Sequence, residues 1–234
     1  MDADNTGTLY YIWGVDQTAY GPVELPTLVD WIKDERVTAE TWINLAESGD
    51  WKKAGQLPEL KMFFKGAAAR TLAGGAGDAL KPGALRRIKI LAEMSDAQLE
   101  NFARYATLHP VRQWAEVIRL GEQGEAMYLI LEGELRVRLM VNGKETLINT
   151  LQAGEFFGEI ALFDNGPRSA DVVANKDCLL AKITAAAFAD LVEHAPDIAA
   201  PFLFAVGKTL AARIRADNKR FRDAVAFARS AGGR

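Results

Sequence analysis

The chain has 234 residues, 49% of them hydrophobic and 25% charged, which is enough apolar material for one large domain or two modest ones. A formal net charge of −3 excludes a global attraction to nucleic acid, and the single cysteine, Cys178, excludes an intramolecular disulfide. The two histidines, His109 and His194, have no metal-ligand neighbours in sequence, so neither a zinc site nor a Cys/His nucleophile pair is expected. The N-terminal MDADNTGTLYY lacks the basic and apolar regions of a signal peptide, and no apolar run approaches the roughly 18 residues of a spanning helix. The expectation is a soluble, cytoplasmic protein with no membrane partner.

In chain order, residues 9–15 read as a strand, Gly21-Pro22 as a turn, and Leu25 to Ile32 as a short helix with Pro26 in its first turn. Thr41 to Leu45 reads as a second strand, followed by a Ser48-Gly49-Asp50 turn. Four of the five tryptophans, Trp13, Trp31, Trp42 and Trp51, lie in this stretch with Tyr10, Tyr11 and Tyr20. Large rings supply buried area efficiently in so small a unit, so most of the tryptophans are expected in its core.

The residues Tyr10-Tyr11-Ile12-Trp13, Tyr20-Gly21-Pro22, Leu28, Trp31, Trp51-Lys52-Lys53-Ala54 and Leu57-Pro58-Glu59-Leu60 resemble the GYF_2 family, small bacterial domains related to the GYF adaptor fold. The resemblance implies an interaction domain over 8–64. GYF domains bind proline-rich peptides on an aromatic face that includes a Gly-Tyr-Phe triplet, and here Glu35-Arg36-Val37 stands at that place. Tyr10, Tyr20 and Trp31 are the residues expected to form an exposed patch for a protein partner.

Residues 65–84 are rich in alanine and glycine without apolar periodicity, and read as a flexible linker with a brief helix at Ala67 to Leu72. A second domain is expected over 85–228. It opens with helices at Leu85 to Leu91 and Ser95 to Ala106, the latter with Ser95 and Gln98 spaced for a capping box. Short strands follow. Glu134 to Leu139 alternates polar and apolar, Asn142-Gly143 predicts a type I′ hairpin before Glu145 to Leu151, and Gly121, Gly124, Gly133 and Gly154 mark corners. Cys178 to Ala181 is strand-like and makes Cys178 a buried structural thiol.

The stretch Phe157 to Ala174, FGEIALFDNGPRSADVVA, carries the densest chemistry. Gly158 permits close backbone approach to a ligand, Glu159 offers an acceptor for a sugar hydroxyl, and Ile160-Ala161-Leu162-Phe163 reads as one helical turn whose N–H groups can face a phosphate. Arg168, nine residues after Glu159, can pair with that phosphate through its planar fork. This segment resembles the phosphate-binding cassette of the cyclic-nucleotide-binding domain, the family of the catabolite activator protein and the protein kinase A regulatory subunits. The resemblance implies an α+β fold: an eight-stranded, jelly-roll-like β-roll with flanking helices and a long C-terminal helix, preceded here by the small N-terminal domain. It further implies that Glu159 takes the ribose 2′-hydroxyl and Arg168 the exocyclic phosphate oxygens, with Ser169 and the amides from Gly158 through Ile160 to Ala161 completing the cradle.

Thr184 caps a helix from Ala185 to Glu193, which breaks at Ala195-Pro196 before a long helix from about Asp197 to Arg229. Leu203, Val206, Leu210, Ile214, Phe221 and Val225 form a heptad-like seam on it, suited to a partner helix and hence to a homodimer. Asp217 and Asn218 interrupt that seam. By the resemblance, polar side chains near this point hydrogen-bond the nucleotide base. The basic residues Arg213, Arg215, Lys219, Arg220 and Arg222, interleaved with aspartates, read as a solvated face.

The expected function is a non-enzymatic receptor for a cyclic mononucleotide, with cAMP preferred and cGMP open because Ser169 suits either. It requires no cofactor or metal, and its output passes to an unidentified protein partner. The alternatives are a c-di-GMP receptor on the same fold and a ligand-free structural adaptor. The sequence ends at Arg234, directly after the long helix, and no DNA-binding helix-turn-helix is expected.

Overall fold

The structure, a computed structural model, describes residues 8–14, 17–46, 49–64 and 80–231. Most of the expected linker, the helix expected at Ala67 to Leu72, and Ser48 of the expected turn lie outside the described residues.

The N-terminal unit is a four-stranded antiparallel sheet of β1 (Leu9–Trp13), β2 (Ala19–Glu24), β3 (Trp42–Leu45) and β4 (Trp51–Lys53), ordered β2-β1-β3-β4, with α1 (Leu25–Lys33) between β2 and β3. Successive strand residues point to opposite faces. Tyr10 and Ile12 of β1 and Ile43 of β3 therefore meet Leu28 and Ile32 of α1 in a core closed by Leu57 and Leu60. The same alternation turns the neighbouring Trp13 and Trp42 outward, and with Trp51 they are 43%, 47% and 39% exposed. The expectation that most tryptophans are core is thus corrected: they stand one residue out of phase with the inward isoleucines. Tyr10, expected in an exposed patch, is corrected for the same reason and is 2% exposed, whereas Tyr20 is exposed and Trp31 is half-buried against the core. Gly21-Pro22 lies inside β2 rather than in a turn. The strand tolerates a proline because β2 is an edge.

The second unit starts earlier than the sequence suggested, since Leu80 and Ala84, assigned to the linker, are buried in its core. A single turn, α2 (Lys61–Phe64), closes the N-terminal unit, and α3 (Pro82–Leu85) opens this one. The helix expected through Leu91 stops at α3. Ile88 is extended, so the Lys89 amide donates to Gly154 O at 2.9 Å, and only a 3₁₀ turn, Lys89–Leu91, follows. In α4 (Asp96–Phe102) both halves of the capping box form: Ser95 Oγ accepts from the Gln98 amide, and Gln98 Oε1 accepts from the Ser95 amide.

Eight strands make the roll: β5 (Thr107–Val111), β6 (Glu116–Ile118), β7 (Ala126–Glu132), β8 (Glu134–Val141), β9 (Lys144–Gln152), β10 (Phe156–Phe157), β11 (Asp171–Ala174) and β12 (Cys178–Thr184). They form two antiparallel four-stranded sheets, ordered β10-β7-β12-β5 and β6-β11-β8-β9. From Ala126 to Leu131, β7 is buried on both faces: Met127, Leu129 and Leu131 meet the helices, while Tyr128 and Ile130 fill the space between sheets with Leu135, Phe157, Val172 and Leu180. Asn142 and Gly143 both take positive φ at the β8–β9 turn, as a type I′ hairpin requires. Cys178 is fully buried in β12, and burial pushes its thiol pKa up.

Between β10 and β11 sits α5 (Ile160–Asp164); after β12 come α6 (Ala185–His194), capped by Thr184, and α7 (Pro196–Ala231). The chain turns between α6 and α7 at Ala195, whose φ of −135° and ψ of 58° leave the helical region. At 36 residues α7 is about 54 Å long. Its first half packs Ile198, Ala199, Phe202 and Val206 onto the sheet, with Leu210 partly buried beside them. Further along, the helix is exposed.

Candidate functional site

The cassette is built around the Arg168 guanidinium. Gly158, with φ +77°, follows β10 and sets the backbone so that its carbonyl accepts from Arg168 Nη1 at 2.8 Å, while Ala126 O accepts from Nη2 at 2.6 Å. A Cβ at Gly158 would stand 3.0 Å from Nη1 and 3.1 Å from Ala126 O; one at Gly124 would lie 2.0 Å from the Ala161 Cβ. Both glycines are therefore dictated by close approach to the same space. Arg168 is 9% exposed, and its backbone is pinned by exchange with the β6–β7 loop: its amide donates to Glu122 O at 2.8 Å and its carbonyl accepts from the Gly121 amide at 2.9 Å. Burial pulls the guanidinium pKa down and the nearby Tyr128, Glu159, Glu122 and Glu125 pull it back, so a cation is kept in a partly desolvated place.

Glu159 stands at the N-cap of α5 and is 4% exposed. Its Oε1 accepts from Arg213 Nη1 of α7 at 2.9 Å, and Arg213 Nη2 donates to Phe156 O at 2.7 Å. The Arg213 guanidinium lies 4.5 Å over the Phe156 ring. A buried carboxylate is thus held by a cation from a distant element, and the site joins the roll to the long helix. The assignment of Arg213 to a solvated face is corrected. The signal was in the sequence, because Arg213 continues the inward stripe of Ile198, Phe202, Val206 and Leu210 at helical spacing.

Of the other expected residues, Ala161 is buried at 2% beside Gly124, whereas Ile160 and Ser169 are exposed. Asp217 and Asn218, one turn beyond Arg213, are exposed, and Asp217 lies 3.7 Å from Arg220 on its own helix. The residue of α7 that reaches Glu159 is Arg213, a turn nearer the roll than these two. Sequence reasoning also passed over Glu122 and Gln123, which lock the loop facing the cassette: Gln123 Nε2 donates to Asn165 O at 2.8 Å, and Gln123 bridges Pro167. Among the described residues no group of His, Cys, Asp and Glu is arranged to hold a metal, and no helix is long and apolar enough to cross a membrane.

A β-roll that gathers a positive-φ glycine, a buried glutamate and a buried arginine in one short segment is the arrangement set against known proteins. Residues 109–195 match the family model of the cyclic nucleotide-binding domain. The chain is 34% identical over 105 residues to the "cAMP-activated global transcriptional regulator CRP" of Pasteurella multocida, covering 44% of this chain and 50% of the relative. It is 32% identical over 90 residues to the "cAMP-dependent protein kinase regulatory subunit" of Mycosarcoma maydis, covering 38% of this chain and 17% of that one. The catabolite activator protein structure of Thermus thermophilus superposes with a TM-score of 0.53 at 25% identity, over 59% of this chain and 63% of that chain. The chain spans about half the length of the transcriptional regulators it matches. It carries a cyclic nucleotide-binding domain of mixed α/β build, ending in a long helix.

Proposed function

We propose that the protein is a non-enzymatic receptor for a cyclic mononucleotide, cAMP in preference to cGMP, that relays binding to a protein partner. The observation that carries this reading is that two buried, oppositely charged side chains, Glu159 and Arg168, converge on Gly158, the first following it in the chain and the second donating to its carbonyl. A buried charge is costly, and here the carboxylate is kept by Arg213 and the guanidinium by two backbone carbonyls, which supports a site prepared for a ligand with a hydroxyl and an anionic group. The ribose 2′-hydroxyl donates to Glu159. The exocyclic phosphate oxygens accept from Arg168, Ser169 and the amides from Gly158 to Ala161. The preference for cAMP follows relatives whose names state cAMP activation or dependence.

Relay runs through Arg213. A ribose hydroxyl on Glu159 shares the carboxylate that now accepts from Arg213 at 2.9 Å, so ligand occupancy and the position of α7 are linked. Two copies associate along the exposed part of α7, and the aromatic face of the N-terminal sheet receives the protein partner. Calorimetric titration with cAMP, cGMP and c-di-GMP, repeated on Arg168→Ala, tests the reading. It expects cAMP to bind most tightly and the variant to lose at least a hundredfold. Preferential c-di-GMP binding would move the protein to the dinucleotide class, and no binding by any of the three would make it an adaptor.

A further inference from the structure

The two units meet through a compact set of charges that the cassette does not use. The turn after α1, Asp34 to Val37, lies against the segment from Lys81 to Asp96. Lys81 Nζ is 3.2 Å from Glu35 Oε1 and donates to Lys33 O at 3.0 Å. Arg36 Nη2 donates to Asp96 Oδ1 at 3.1 Å, and the same oxygen accepts from Arg86 Nη2 at 2.7 Å. Arg87 is buried behind them, with Glu132 of β7 at 3.3 Å and Glu35 acting on it electrostatically. At the centre, Gly83 packs so closely on the turn that a Cβ there would lie 2.0 Å from Asp34 O.

Two features mark this interface as releasable rather than a continuation of a core. It is ionic and largely at the surface, with the Asp96, Lys81 and Glu35 side chains 65%, 47% and 40% exposed, so each pair is individually weak and screened by salt. It is also imperfect, because Arg36 Nε and Arg87 Nη2 are buried without a hydrogen-bond partner among the described residues. The segment it grips is continuous with the nucleotide end of the molecule: Ile90 and Leu91 share a core with Phe202 and Val206 of α7, two turns before Arg213.

We propose that Asp34 to Val37 and Lys81 to Asp96 form an ionic latch holding the N-terminal unit against the helical elbow of the roll. Through α7 the latch is linked to the cassette, a linkage that rests on the cyclic-nucleotide reading above. Linkage is reciprocal: a nucleotide that shifts α7 shifts latch occupancy, and opening the latch shifts nucleotide affinity by the same factor.

Gly83→Ala in the full chain is the test. Alanine favours the helix in which Gly83 lies but drives a methyl group into Asp34 O, so it wedges the interface without touching a charge. Arg36→Glu is the second variant, breaking the latch at the pair that does not include Lys81. The readout is the rate at which a succinimidyl ester acylates Lys81, with Lys89 as internal reference. Both variants are expected to speed Lys81 acylation severalfold with Lys89 unchanged; an unchanged Lys81 rate in both overturns the latch. In the wild-type chain, saturating cAMP is expected to change the Lys81 rate, and Gly83→Ala to change cAMP affinity at least threefold. Tight cAMP binding with neither change overturns the linkage while leaving the receptor reading intact. If the wild type binds no nucleotide, the receptor reading and the linkage fall together, and the Lys81 rates of the variants decide the latch alone.

Discussion

Glu159 and Arg213 form an ion pair whose two members are not equally buried: the glutamate side chain is 5% exposed and the arginine 29%. Removing the arginine strands a carboxylate away from water, so Arg213→Ala is expected to cost about 2–4 kcal/mol in chemical denaturation. Glu159→Gln removes the charge that needs a partner. The double variant is therefore expected to be less destabilised than the sum of the two singles, and a denaturation cycle that comes out additive would deny the coupling. At Gly158 the constraint is the backbone. Alanine there must hold φ +77° and place its methyl group 3.0 Å from Arg168 Nη1, so Gly158→Ala is expected to lose about 1–2 kcal/mol of stability and most nucleotide affinity. Wild-type titration behaviour in that variant would show that the close approach is not needed.

On the scale of elements, α7 presents two stripes with different tasks. The inward stripe ends at Arg213. The outward one runs through Phe204, Ala211, Ile214, Asn218, Phe221 and Val225, alternating three and four residues after its first step of seven, and Phe204, Ile214 and Phe221 are 77%, 60% and 71% exposed. Such spacing is a heptad, in which Asn218 shares the register of Phe204, Ala211 and Val225, where a polar residue selects alignment at a cost in stability. For the proposed homodimer, Phe221→Glu is expected to weaken self-association at least tenfold in sedimentation equilibrium, whereas Asn218→Leu strengthens it and broadens the distribution of oligomers. A wild-type chain that stays monomeric at high micromolar concentration would remove the dimer from the scheme. Closer to the roll, Ser95→Ala deletes one half of the α4 capping box and is expected to cost about 1 kcal/mol.

For the molecule as a whole, acid stability follows from carboxylates held in their charged form. Hydrogen bonding by Arg86 lowers the pKa of Asp96, Gln152 and Asn175 lower that of Glu134, and Arg138 with Arg136 lowers that of Glu145. Each depressed carboxylate contributes stability above its unfolded pKa and loses it as pH falls through the folded value, so thermal stability is expected to drop below about pH 4.5. His109 acts earlier. Burial lowers its pKa from 6.5, with Lys182 adding to the shift, so protonation on acidification opposes folding and the loss begins as pH falls through 6.5. His109→Gln is expected to flatten the melting-temperature profile between pH 6.5 and 5, and an unchanged slope would place the sensitivity elsewhere.

Local physics was legible directly in the sequence. The capping box at Ser95 and Gln98, the Asn142-Gly143 hairpin, the helix capped by Thr184, the break at Ala195 and the helical turn that starts at Ile160 each depend on a few adjacent residues with one favourable backbone geometry, and the structure holds all of them. What depended on neighbours distant in the chain was not legible. The outward turn of Trp13 and Trp42 follows from which face of the sheet α1 covers, and the stop of α3 at Leu85 from a carbonyl at Gly154 that claims the Lys89 amide. The reach of Arg213 to Glu159 follows from where α7 leaves the roll. Sequence periodicity states that a helix has faces, but it does not say which face another element will cover; that is decided only when packing brings a buried carboxylate within reach of one cation and leaves the next turn in water.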